Sequence, residues 1–306
     1  MVDKQATFVY QVAETDDGKM LRQVLESHFG FSKRMMRRLK LHQLVTVNGD
    51  VIYFTQRVHS GDRIVIRMME EELPEYLIPQ KVPFHLVYED EDIVVVDKPP
   101  GLVVHPTRSH PEYTLANGLF YHWQKLGQMH KMRPVTRLDK DTSGLMVIAK
   151  HAYGHAYLAE QMKKKRYQRM YVAIVHGQMA QDSGTIDAPI GLDLNHAIAR
   201  KVDFGEGGDS AITHYQVVER YPTATKVRLQ LETGRTHQIR VHLAWLGYPI
   251  FGDSLYGIGT DMQDIPRQAL HATYLRIYHP RYKEWKEWES TLPLDMCKLI
   301  ETLQRG

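Results

Sequence analysis

Apolar and polar positions divide the chain into elements before any composition is considered. Between residues 18 and 29, Met20, Leu21, Val24, Leu25 and Phe29 recur at helical spacing. Ser32 then stands where an N-cap belongs, and a second helix is expected to run to about Leu41. On its wheel Met35, Met36 and Leu39 fall opposite a sector holding Lys33, Arg34, Arg37, Arg38 and Lys40. Val45-Thr46-Val47, an Asn48-Gly49 turn and Val51-Ile52 read as a hairpin, and Arg63-Ile64-Val65-Ile66 as a further strand. Acidic residues and prolines interrupt the pattern over 70–83, which reads as a linker between a small domain, 13–69, and a large one, 84–306. In the large domain, strands are expected at 93–96, 145–149, 170–175, 211–218 and 225–231. Helices are expected at 115–126, 151–164, 236–246 and 293–303. Consecutive strands without regular strand–helix alternation favour an α+β fold on a mixed, mainly antiparallel sheet, preceded by a small α+β domain.

Composition narrows the function classes. The chain has 306 residues, 43% hydrophobic and 25% charged, as an ordinary globular protein does. No stretch approaches the ~18 apolar residues of a membrane span, and the N-terminus lacks the apolar core of a secretory signal. Cys297 is the only cysteine, which excludes an intrachain disulfide and a thiolate zinc cage. A reduced, cytoplasmic monomer is the simplest expectation. The net charge of +3 permits nucleic-acid binding without arguing for it. Its distribution says more, because five cations on one short helix repel each other unless a polyanion neutralises them.

The chemistry concentrates in Arg137-Leu138-Asp139-Lys140-Asp141-Thr142-Ser143-Gly144, a polar turn feeding the apolar run Leu145-Met146-Val147-Ile148-Ala149. An aspartate so placed is held by rigid scaffold and faces a loop-lined cleft. Asp-Lys-Asp-Thr also fits the two-aspartate pattern of haloacid-dehalogenase-like phosphatases. Those place the motif at the carboxyl end of an apolar strand, whereas here the strand follows it and Arg133-Pro134 precede it. Histidine is abundant but lacks metal-ligand spacing: His237 and His242 are five apart, so no metal site is expected. Lys163-Lys164-Lys165-Arg166 is a helix end or, with Lys164, a set of RNA phosphate contacts.

Arg-Leu-Asp-x-x-Thr-Ser-Gly-Leu followed by an apolar strand resembles the central motif of the RluA-type pseudouridine synthases. Three further blocks fit that family in the same order. They are Lys98-Pro99-Pro100-Gly101 through His105-Pro106, Arg169-Met170-Tyr171-Val172, and Thr233-Gly234-Arg235-Thr236-His237-Gln238-Ile239-Arg240 continuing to Gly257. Thr136 and Arg169 depart from the family's commoner His and Lys. The order of the first elements resembles the small RNA-binding domain first seen in a small-subunit ribosomal protein, which docks its basic helix on RNA backbone.

The resemblance implies isomerisation of uridine to pseudouridine in structured RNA, with no redox cofactor, nucleoside triphosphate or metal. Asp139 is then the nucleophile, at either the ribose anomeric carbon or ring carbon 6. Arg235 is the expected cation beside it, with Arg240 as the alternative. Tyr171 lies against the uracil, and Arg137 helps displace the target nucleotide. Lys33, Arg34, Arg37, Arg38 and Lys164 are expected RNA contacts. The implied partner is large-subunit ribosomal RNA, with transfer RNA as a second candidate. A competing reading is a catalytically silent RNA-binding or ribosome-assembly factor.

Overall fold

A small three-stranded sheet opens the fold, in a computed structural model that describes residues 7–69, 77–259 and 264–305. Strand β1 (Thr7–Gln11) pairs antiparallel with β3 (Arg63–Arg67), and β3 with β2 (Val45–Val47). Two helices cover it, α1 (Leu21–Phe29) and α2 (Lys33–Leu41). Leu21, Val24, Leu25, Leu39, Ile64 and Ile66 are sealed from water between them. Each such side chain contributes about 1.5–3 kcal/mol. Gly30, in the left-handed region at φ 70°, ends α1, and Ser32 Oγ accepts from the Met35 amide to start α2. The small domain thus takes in β1, upstream of its expected start at residue 13.

The Asn48-Gly49 turn forms, with both residues at positive φ, but Val51-Ile52 is not the return strand. The Asn48 side chain binds forward, giving its amide to Asp62 at 2.8 Å and accepting from the Arg63 amide at 2.8 Å. The β2 strand therefore pairs with β3, and residues 51–62 loop out. Of the expected linker, residues 70–76 lie outside the described residues. In the remainder, Leu77 is buried in the core of the large domain and the Ile78 carbonyl accepts from Asn117.

The large domain is built on a ten-stranded sheet. Its strands begin with β4 (His85–Glu89), β5 (Ile93–Lys98), β6 (Arg133–Pro134), β7 (Ser143–Ala149), β8 (Tyr167–His176) and β9 (Ser183–Asp187). A side hairpin, β10 (Ile190–Leu192) with β11 (Arg200–Val202), forms a separate two-stranded sheet. The main sheet resumes with β12 (Ile212–Arg220), β13 (Ala224–Leu231), β14 (Leu270–Tyr278) and β15 (Trp285–Glu289). Its order is β4-β5-β7-β14-β8-β13-β12-β9, with β6 also on β7 and β15 also on β14. All pairings are antiparallel except β7 with β14, so the fold is α+β on a mixed, mainly antiparallel sheet.

Both faces of β5 and β7 are covered, which is why their sequences are unbroken apolar runs. Val94, Val96, Met146 and Ile148 pack in one core with α3 (Leu115–Lys125) and α6 (Leu294–Arg305). Ile93, Val95, Leu145 and Val147 pack on the other side with Leu158 of α4 (Ala152–Lys163). The parallel junction is short, Ser143–Gly144 against His271–Ala272. Gly144 is required there: its φ is 111°, and a Cβ would lie 2.3 Å from the Ala272 carbonyl oxygen. Among the described residues no helix is long and apolar enough to cross a membrane.

Candidate active site

The Asp139 turn sits between β6 and β7 at the junction where β14 enters the sheet. Its backbone is held from below. The Thr142 amide bonds the Asp139 carbonyl at 3.2 Å. The Lys98 ammonium donates to the Lys140 carbonyl at 2.8 Å and to those of Pro99 and Leu102 at 3.0 Å. Arg267, paired bidentately with Asp295 of α6, donates to the Asp141 carbonyl. Burial pushes Lys98 down to about 7 although Asp141 and Asp139 act to raise it. The nucleophile candidate is thus placed by cations that grip main-chain oxygens.

The Asp139 carboxylate is 28% exposed at the floor of a cleft of about 690 Å³. Its partner is Arg240, whose Nη1 lies 3.1 Å from Oδ2. This replaces the expected Arg235. The helix α5 (Gln238–Trp245) begins only after His237, which is left-handed at φ 58°. Arg240 therefore lies in the first turn of the helix with its side chain 7% exposed. Arg235 lies before the helix, donates to the Ser210 carbonyl and is 3.5 Å from Asp209 at the cleft mouth.

Arg240 is also clamped bidentately by Asp253, at 2.7 and 2.8 Å. Asp253 is fully buried and accepts from the Leu255 and Tyr256 amides as well. Burial acts to lower Arg240, but Asp253 and then Asp139 outweigh it and raise its pKa. Burial likewise acts against the Asp253 carboxylate, and Arg240 overcomes it, leaving its pKa lowered. Two nitrogens of the guanidinium face the permanent partner and one faces Asp139. One cation thus bridges two carboxylates, and its double bond to Asp253 sets the direction in which it meets Asp139.

Tyr171 of β8 lines the same cleft, 4% exposed, with its phenol pushed up by burial. It is a neutral ring at working pH, which suits a platform for a base. Arg137 is exposed on the cleft wall, which His105, Arg169 and His237 also line. Lys164 is exposed at the end of α4, 3.8 Å from Glu160. Lys33, Arg34, Arg37 and Arg38 stand apart on α2 of the small domain, with no carboxylate at ion-pair distance among the described residues. The geometry thus unites Asp139, Tyr171, Arg137 and Arg235 around one cleft and leaves the α2 cations on a second surface.

Sequence reasoning ranked Arg240 behind Arg235 and assigned no role to Asp253 or Lys98. One signal was readable: Arg240 stands between Ile239 and Val241 in an apolar helix turn, where a buried arginine needs carboxylates.

Residues 92–245 match the family model for RNA pseudouridylate synthase, and residues 8–64 that for the RluD ribosomal pseudouridine synthase N-terminal domain. The chain is 42% identical to "Uncharacterized RNA pseudouridine synthase YjbO" of Bacillus subtilis, over 89% of this chain and 95% of that protein. It is 38% identical to ribosomal large subunit pseudouridine synthase D of Escherichia coli K12, over 96% and 93%. The solved structure of human RNA Pseudouridylate Synthase Domain Containing 1 matches with a TM-score of 0.56 at 26% identity, covering 77% of this chain and 98% of that one. With sequence blocks, sheet and cleft in agreement, the chain belongs to the RNA pseudouridylate synthase family and is an RNA pseudouridine synthase, an isomerase.

Proposed function

We propose that this enzyme isomerises uridines of large-subunit ribosomal RNA, with Asp139 as nucleophile acting on a base extruded from the RNA. The observation that carries the reading is the Asp139–Arg240–Asp253 array under a cleft that Tyr171 also lines. The names of the relatives support the substrate class. The appended basic domain, which we take as an RNA-docking unit, supports a structured rather than a short target.

Arg137 occupies the place vacated by the flipped nucleotide, and Tyr171 lies against the uracil. The Asp139 carboxylate attacks the anomeric carbon as the bond to nitrogen 1 breaks, and the electron pair leaves on uracil. After the base turns, carbon 5 bonds the anomeric carbon and the carboxylate departs. The carbon-5 proton is then lost and nitrogen 1 gains a proton from solvent, which restores the ring and leaves a net isomerisation. Attack at ring carbon 6 is the alternative first step, and both leave Asp139 regenerated. Each route balances without oxidant or reductant. The setting is the cytoplasm, with the protein acting as a monomer.

Tritium release from RNA labelled at carbon 5 of uridine tests the reading. The parent should release label from unmodified ribosomal RNA. Asp139→Asn should release none, while its RNA affinity stays within a few-fold, since phosphate contacts dominate binding. Turnover by the Asn variant would remove Asp139 from the mechanism. Release only from transfer RNA would reassign the substrate.

A further inference from the structure

The small domain is not merely tethered to the catalytic domain, because catalytic-domain side chains grip its backbone at two points. Arg281, in the turn after β14, donates Nη1 to the Thr7 carbonyl of β1 at 2.8 Å and lies 4.3 Å above the Phe8 ring. Tyr153, in the first turn of α4, donates its hydroxyl to the Phe29 carbonyl at 2.8 Å. The Tyr153 ring packs edge-on against Phe8 and Phe31, at 5.2 and 4.9 Å. The ring is buried in the small domain's own core.

Behind these contacts lies a buried anchor. Asp92 is fully buried and holds Arg281 bidentately at 2.8 Å, and its Oδ1 also meets His151 Nε2 at 2.8 Å. His151 is the N-cap of α4, accepting from the Gly154 amide through Nδ1. Asp90, Asp92 and His279 cluster closely enough to suggest a metal. However, His279 Nδ1 accepts from the Arg281 and Tyr282 amides, and its Nε2 faces Asp90 at 2.8 Å. Asp92 is occupied by Arg281 and His151. The cluster is a joint, not a vacant ligand set.

The position of this joint gives it a consequence. Phe29 ends α1, and three residues later Ser32 caps the basic helix α2. On the other side, Tyr153 follows β7 by four residues, and β7 starts four residues after Asp139. An unbroken series of elements therefore links the nucleophile to the RNA-docking helix. It runs along β7, seven residues or about 23 Å at ~3.3 Å each, into α4 and across one hydrogen bond to the base of α2.

We propose that the Arg281–Tyr153 joint makes the small domain a fixed gauge, so that α2, docked on RNA backbone, determines which uridine reaches Asp139. The inference rests on the function proposed above. Arg281 and Tyr153 are positioning residues and touch no substrate in this scheme. A loose domain would still bind RNA, but it would no longer hold α2 and the cleft in one register.

The test uses the full chain and a double variant, Arg281→Lys with Tyr153→Phe. It keeps the charge opposite Asp92 and the ring packing while removing both bonds to small-domain carbonyls. Pseudouridines made in unmodified large-subunit ribosomal RNA by the parent are mapped first. Both proteins are then assayed on that RNA and on a short stem-loop carrying the mapped uridine alone. On the long RNA, the double variant should lose about tenfold or more in kcat/KM and modify additional uridines. On the stem-loop it should stay within about twofold of the parent, as expected for a site distant from the chemistry. Tyr153→Phe alone should shift selectivity in the same direction by less.

Unchanged rate and selectivity on the long RNA would overturn the gauge. So would equal losses on both substrates, which would mark the joint as merely structural. No pseudouridine from the parent on any RNA would instead overturn the function proposal, and the gauge with it.

Discussion

Arg240 shows how much one guanidinium can determine. Its Nε and Nη2 belong to Asp253, so its orientation toward Asp139 does not depend on Asp139 itself. Arg240→Lys supplies a point charge in place of the fork. It should reduce turnover by about a hundredfold, while Arg235→Ala, at the cleft mouth, should reduce it by less than about tenfold. Comparing the two kcat values on one RNA decides the assignment, and the reverse ranking would restore Arg235. Arg240→Ala goes further, leaving the fully buried Asp253 without its cation, and should destabilise the fold by about 3–5 kcal/mol in denaturant titration. Asp139 was singled out by the Arg-Leu-Asp block and the three blocks that accompany it in order, because a polar turn feeding an apolar strand alone also suits a capping aspartate. Its partner was ranked second: the expected helix 236–246 already held Arg240 and excluded Arg235, but the Asp253 clamp that aims Arg240 lies thirteen residues further on.

Elements are arranged by a few close approaches that residue patterns do not reveal. Gly144→Ala would meet the Ala272 carbonyl and force a side chain into φ 111° at the β7–β14 junction. It should destabilise the protein by about 3 kcal/mol or more, read as a lowered melting temperature. A parent-like melt would mean the junction yields. On α2, Met36 and Leu39 are buried and the cations face out, as the helical wheel required. Replacing Arg34, Arg37 and Arg38 together with Gln should weaken RNA binding and flatten its salt dependence by up to about three counterions. An unaltered salt slope would show that α2 does not meet RNA. The core strands were readable because both of their faces are covered, which yields apolar runs such as Val94-Val95-Val96. Where side chains bind backbone at a distance, reading failed. Asn48 sends β2 to β3 across the loop, and nothing local in Val51-Ile52 announces it.

Two domains share one buried electrostatic anchor, and acid should reach it. Burial alone would raise Asp90, but His279 and the Ile93 and Asp92 amides hold its carboxyl down at about 2, and Asp92 is lowered too, chiefly by His151 and Arg281 against its burial. A carboxyl depressed from 3.8 in the folded state contributes fully above that value and loses its contribution as pH falls through about 2. For Asp90 alone this amounts to roughly 2 kcal/mol. Thermal unfolding between pH 5 and pH 2 should therefore steepen below about pH 4, and Asp90→Asn should flatten part of that slope. A parallel slope in the variant would place the acid lability elsewhere. The break in pattern over 70–83 gave no sign of the joint, because its partners, Thr7, Phe29, Asp92, Tyr153 and Arg281, are scattered through the chain. Sequence distance has a temporal side as well. Lys98 precedes the Asp139 turn, but the turn's other partners, the Arg240 and Arg267 side chains and the β14 backbone, follow it by about a hundred residues or more. At translation rates of about 5–20 residues per second, Asp139 emerges roughly 5–25 s before these later partners. Until β14 has been made, the newborn chain therefore carries Asp139 without its full set of partners.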